Sequence, residues 1–234
     1  MTELLYLKDS YLKSFEATVE KAWGKRVVLD KSCFYPESGG QPTDTGKICR
    51  NNEEFRVVFS RKQGNEIILE LDREGLREGE KIVGEIDWQR RYKLMRMHTA
   101  AHILSRMIFN ETGALITGNQ LSIDKSRMDF NVKEFDREKI LGFEKNANET
   151  ISNNLDVSIE FLPVEEALKD PALVRLRDVM PKGLKEWRIV SIGGFDRQAD
   201  GGTHVKSTSE IGKIRITKLE NKGADNRRVY FGLE

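Results

Sequence analysis

The chain has 234 residues, 38% hydrophobic and 33% charged, with a formal net charge of +1. That length can bury a sizeable core in one large or two small domains, and no run of about 18 apolar residues offers a membrane-spanning helix. The opening MTELLYLKDSYLKSFEATVEKAWGKR lacks the pattern of a signal peptide, so the expected location is cytoplasmic, with no membrane partner.

The first ninety residues read mainly as strands. VVLDKSCFY, KICRNNEEFRVVFSRKQ, EIILELD and EKIVGEID are alternating or β-branched runs separated by Gly, Asn and charged turns, as in a small barrel or strongly curved sheet. Between two of them, PESGGQPTDTG at 36–46 is too rich in Gly, Pro and small polar residues for a regular element. Cys33 and Cys49 read as ordinary thiols, without the close spacing of a cysteine-based zinc site.

Near residue 88 the hydrophobic period changes, which places a boundary between a domain at 1–88 and another at 89–234. DWQRRYKLMRMHTAAHILSRMIFNETG has helical spacing, with Leu94, Met97, Ala101, Leu104 and Ile108 on one stripe and Gly113 as a stop. Strand-like ALITGNQLSI and SRMDFNV follow, then a helix over about 136–153. VSIEFLPV reads as a strand leading into the short helix PVEEALKD. WRIVSIGGFD, EIGKIRITKLENKG and RRVYFGL read as further strands, so the second domain is α+β with an antiparallel sheet.

All three histidines fall in two short motifs. His98 and His102 are four apart on the predicted helix, so both rings project from one face toward one ion. His204 follows two glycines in ADGGTHV, where a tight turn and close backbone approach are possible. One i,i+4 pair arises often by chance; the presence of every histidine in these two motifs favours a metal site. Thr99 stands where a zincin would carry its glutamate base, which disfavours a metalloprotease. Three nitrogen ligands leave the fourth position free, as in catalytic zinc sites. Asp200, four residues before His204, is either a ligand, an orienting group, a base or simply a turn residue.

HTAAHIL at 98–104 with GGTHV at 201–205 resembles the paired HxxxH and CxxxH motifs of alanyl-tRNA synthetase editing domains and of the free-standing AlaX proteins. FYPESGGQPTDTG at 34–46 resembles the glycine-rich motif of the same family and precedes the other two in the same order, and NKGADNRRVYF resembles the end of such domains. One position departs: the family pattern has cysteine where this chain has Asp200, a harder donor for a metal.

The resemblance implies a β-barrel-like domain at 1–88 carrying the glycine-rich motif, and a zinc-binding editing domain at 89–234 similar to that of threonyl-tRNA synthetase. It implies a medium-length AlaX protein without a synthetase activation domain, acting in trans. The expected activity is zinc-dependent ester hydrolysis of tRNA(Ala) mischarged with serine or glycine. Zn2+ would be held by His98, His102 and His204 with Asp200, either activating water or anchoring the amino acid. Asp200 and Thr117 are the catalytic candidates, Thr117 facing the amino-acid side chain and Gln120 its alternative. Gly39 and Gly40 are expected to bring backbone close to tRNA, with Glu37, Ser38 and Gln41 as polar contacts. The basic cluster Arg90, Arg91, Lys93 and Arg96 is expected to meet phosphates, Arg90, Arg91 and Lys93 above all. The alternative is a zinc-stabilised tRNA-binding module without catalysis, which the aspartate at 200 motivates. The sequence assigns no oligomeric state.

Overall fold

In the computed structural model, which describes residues 1–132, 137–170, 173 and 184–234, strands come first. They are β1 (Glu3–Leu4), β2 (Ser14–Trp23), β3 (Arg26–Leu29), β4 (Lys31–Ser32), β5 (Gly46–Arg50), β6 (Glu53–Gln63), β7 (Glu66–Leu71) and β8 (Lys81–Ile86). Six of them close into a barrel in the order β2-β3-β7-β6-β5-β8, every neighbouring pair antiparallel. Alternate residues fill it: Phe15, Ala17 and Val19 from β2, and Phe55 and Val57 from β6, pack with Leu29, Phe34, Ile48 and Leu69. Each large apolar side chain buried there contributes about 1.5–3 kcal/mol relative to an exposed one.

The barrel adds two features to the sequence reading. The run at 47–63 is two strands, β5 and β6, folded back where Asn51 takes a φ of 53°. β2 was not anticipated, because SFEATVEKAW turns only small and mixed residues inward after Phe15. The glycine-rich segment forms a tight reversal: Ser38 and Gln41 exchange both backbone hydrogen bonds, at 3.1 and 2.9 Å. Gly39 and Gly40 bridge them with φ of 56° and 83°, the left-handed region that a two-residue hairpin needs.

Helix α1 (Trp88–Thr112) opens the α+β part, followed by β9 (Ile116–Gln120), β10 (Ser126–Phe130), α2 (Arg137–Ser152), β11 (Val157–Pro163), α3 (Val164–Ala167), β12 (Glu186–Ile192), β13 (Asp196–Ala199), β14 (Ile214–Asn221) and β15 (Arg227–Leu233). The start expected for α2, near residue 136, lies outside the described residues. Two antiparallel sheets form, in the orders β14-β15-β10-β9 and β11-β12-β13. The expected stripe of α1 is buried, but so are Met95, Ala100, Ile103 and Met107, so beyond Leu94 the helix is buried on nearly every side. Gly113 ends it, its N–H reaching the Phe109 carbonyl at 2.7 Å. The compact units are Met1–Lys93 and Leu94–Glu234, so the division falls inside α1. Among the described residues no helix is long and apolar enough to cross a membrane.

Candidate metal centre

His98 and His102 stand one turn apart on α1, and a buried helix leaves their rings nowhere to go but inward. β13 supplies the facing side. Along Asp196-Arg197-Gln198-Ala199-Asp200 the residues alternate: Asp196 and Gln198 are buried, whereas Arg197 turns the other way to Glu160, at 2.9 Å. The strand then gives way to the loop carrying Asp200, Gly202 and His204. Gly202 is required there, since a Cβ would overlap Cε1 and Nδ1 of His98.

The three rings converge with centroids 4.4–5.3 Å apart. They face one carboxylate through Nε2: His98 at 3.5 Å and His102 at 3.9 Å from Asp200 Oδ1, and His204 at 3.2 Å from Oδ2. Each of the four residues offers one ligand atom, all within 4.8 Å of one another, so the cluster could hold a metal ion. Two ligands about 2.0–2.1 Å from a tetrahedral ion lie roughly 3.3 Å apart, close to the separations of His98 and His204 from Asp200 and shorter than the widest in the cluster.

The outer nitrogens explain why Nε2 faces inward. Thr99 Oγ1 donates to the Met95 carbonyl at 3.0 Å and so is left to accept from His204 Nδ1, 3.1 Å away. On His102, Nδ1 meets Asp196 Oδ2 at 3.2 Å. In the neutral ring each contact puts the proton on Nδ1 and the lone pair on Nε2. For His204 that lone pair points at a carboxylate, an arrangement that a cation between them would relieve.

Electrostatics agree. Burial, opposed by Asp200, pulls His98 down to about 4. Burial also holds His204 well below the usual imidazole value, with the neighbouring His98 acting the same way. For His102 burial works downward too, but hydrogen bonds to Asp196 and Asp200 and their charges together push it up to about 9. Burial works to raise Asp200; the charge of His98 and the hydrogen bonds of His102 and His204 nevertheless hold it well below the usual carboxylate range. The result is an ionised carboxylate among mostly neutral imidazoles, a donor set for a divalent cation of borderline character.

The other expected site residues have these surroundings. Thr117 is exposed on β9, its hydroxyl donating to Asn226 at 3.2 Å, and Gln120 is exposed and accepts from Arg127. Glu37, Ser38 and Gly39 are exposed at the tip of the glycine-rich turn. Gln41 is fully buried, so its side chain is not the surface contact expected of it. Arg91 is a clearer correction: it is also fully buried and paired with Asp44, and it donates to the carbonyls of Ser10 and Cys33 at 2.9 and 2.6 Å. Its charge is spent inside the barrel unit and is not offered to phosphate. Lys93 is exposed; Arg90 is half-buried and donates to the Thr43 carbonyl at 3.0 Å; Arg96 is turned onto the Ile211 carbonyl.

The sequence reading passed over Asp196, Gln198 and Arg188. Arg188 is buried and clamps the Asp200 carbonyl at 2.7 Å. The signal for Asp196 and Gln198 was present as polar residues at alternate positions of a strand running into a histidine motif.

Residues 187–230 match the family described as the threonyl and alanyl tRNA synthetase second additional domain, and residues 4–90 match class II (A) tRNA synthetases. The chain is 50% identical over 246 residues to a Methanosarcina mazei protein named alanyl-tRNA editing protein AlaX-M, covering all of this chain and 97% of that protein. It is 46% identical to the Saccharolobus solfataricus protein of the same name, covering 99% of this chain and 98% of the relative. The alanine–tRNA ligase of Pyrococcus abyssi is 36% identical over 98% of this chain, which spans 26% of that enzyme.

Proposed function

The chain belongs to the family of alanyl-tRNA editing proteins of the AlaX-M type, and on that premise we propose that it hydrolyses, in trans, the ester of seryl-tRNA(Ala), and also of glycyl-tRNA(Ala), with Zn2+ as its ion. The observation that carries this reading is the convergence of three Nε2 atoms and the Asp200 carboxylate in one buried cluster. Zn2+ is the divalent ion best suited to three imidazoles and one oxygen, and when bound it supplies Lewis acidity without redox chemistry.

The chain's own residues have separable tasks. His98, His102 and His204 hold the ion, and Asp200 completes the set with its carboxylate kept ionised. Arg188 and the Gly202 N–H, which donates to Asp200 Oδ2 at 2.6 Å, fix the loop that presents Asp200. Thr117 is the proposed contact for the amino-acid side chain. A polar pocket that needs the serine hydroxyl rejects alanine because its own groups would be left unpaired. The turn at Gly39 and Gly40 lets backbone approach RNA closely, and the exposed Lys93 with the partly free Arg90 offers charge to phosphate.

The test is deacylation of labelled seryl-, glycyl- and alanyl-tRNA(Ala) by one sample of known metal content. The expected result is release of serine and glycine, survival of the alanyl ester, and loss of turnover after chelation. Tight tRNA binding with no cleavage of any ester would favour the non-catalytic binding module instead, which the aspartate ligand motivates.

A further inference from the structure

Beside the cluster, Asp196 and Gln198 are buried and polar without being candidate ligands, and Asp196 brings a carboxylate. Asp196 has a side chain with no exposure, and it reaches His102 Nδ1 through Oδ2 at 3.2 Å. The same Oδ2 receives the Gln198 side-chain amide at 2.7 Å. Gln198 Nε2 also lies 3.3 Å from His102 Nδ1, but both atoms are donors, so the carboxylate is the acceptor they share. β13 places Asp196 and Gln198 two apart on one face, which is why a single strand can deliver both.

We propose that Asp196 is a positioning residue for the metal centre: its carboxylate, tethered by Gln198, fixes the tautomer and ring angle that turn His102 Nε2 toward Asp200. This rests on the metal reading above and adds a residue to it. A neutral imidazole has two nitrogens and one proton, so an acceptor that holds the proton on Nδ1 leaves the Nε2 lone pair for a cation. A charged acceptor does more than a neutral one. It raises the basicity of the ring and strengthens its bond to a cation, a pairing found widely at histidine metal sites. Thr99 does the first job for His204 with a neutral hydroxyl; Asp196 does both for His102.

The experiment uses full-length protein stripped of metal and titrated with cobalt(II) against a competing chelator, reading affinity and the visible absorption bands of the bound ion. For Asp196→Asn the expected result is affinity lower by about 10–100-fold with altered band positions, while the thermal midpoint of the metal-free protein stays near that of the parent. Gln198→Ala, which removes only the tether, shifts affinity in the same direction by less, and it carries the test if Asp196→Asn does not fold. Parental affinity and spectrum in both variants, or a lower midpoint with unchanged cobalt binding, would overturn the proposal and leave the metal reading intact. Failure of the parent itself to bind cobalt would remove the metal reading, and this inference with it.

Discussion

The barrel unit buries one ion pair and leaves nothing over. Arg91 and Asp44 are both fully buried, Arg91 Nε meets the two carboxylate oxygens at 3.1 and 3.0 Å, and its remaining nitrogens reach Asp44, Ser10 and Cys33. The Tyr35 N–H, at 2.7 Å, further satisfies Asp44. The second unit buries three imidazoles and a carboxylate that face one another, with the outer nitrogens of His204 and His102 held by Thr99 and Asp196. Buried polar groups that complete one another hold a fold together. Those that converge on one point can serve a different end, and this cluster could hold a metal ion.

The largest expected effect breaks the complete set. Arg91→Ala leaves Asp44 as a buried, unpaired charge, a loss that costs about 3–5 kcal/mol. Urea denaturation should show this, while the metal content of the protein that remains folded stays unchanged. If the variant instead keeps its stability and loses affinity for tRNA, Arg91 is a phosphate contact and the comparison fails on the barrel side.

Next comes the histidine cluster. Gly202→Ala adds one carbon where the His98 ring lies, and that ring must leave. Losing a ligand should exceed the roughly 100-fold upper range for disturbing an outer partner, so bound zinc and deacylation should fall together by more than that. Elemental analysis of purified protein reads the first and release of serine from seryl-tRNA(Ala) the second. Full metal occupancy in this variant would mean that His98 is not a ligand.

How far sequence could see differs between the two units for the same physical reason. The barrel strands with strong β-branched runs were legible, and β2 was not, because its inward positions 17 and 19 are an alanine and a valine among charges. The cluster's members were legible because His98, His102 and His204 are the chain's only histidines and sit in short motifs. Asp196 was invisible as a partner of His102 because they lie 94 residues apart and only the pairing of β12 with β13 fixes which face Asp196 takes. Arg91 was misjudged by the same gap: beside Arg90 and Lys93 it looks like one surface cluster, yet helical rotation turns it inward to Asp44.

A smaller effect tests the neutral partner of the cluster. Thr99→Val keeps the shape of the side chain and removes the hydroxyl that accepts from His204 Nδ1. Affinity for zinc should fall by about 10-fold, the low end for an outer partner. Stability should fall by about 1 kcal/mol for the lost hydrogen bond to the Met95 carbonyl. Competition with a chromophoric chelator reads the first and thermal unfolding of metal-free protein the second. A loss equal to that of Asp196→Asn would show that the charge of Asp196 adds nothing beyond fixing a tautomer.

The smallest effect concerns an ion pair at the surface, which should behave unlike either buried set. Lys218 and then Lys222, with the Tyr230 hydroxyl, hold Glu220 of β14 down to about 2 from its ordinary 4.5. A carboxylate whose folded value is depressed adds stability that is complete above pH 4.5 and is lost as the pH falls toward 2. Glu220→Gln has no such proton to take up. Its thermal midpoint should therefore lie below the parent's at pH 6, and the gap should close as both are taken to pH 2. Salt should narrow the gap at pH 6, because exposed charges are screened, whereas the penalty for Arg91→Ala should resist salt because neither partner meets solvent. A gap that persists at pH 2 would mean that Glu220 acts through packing and not through its charge.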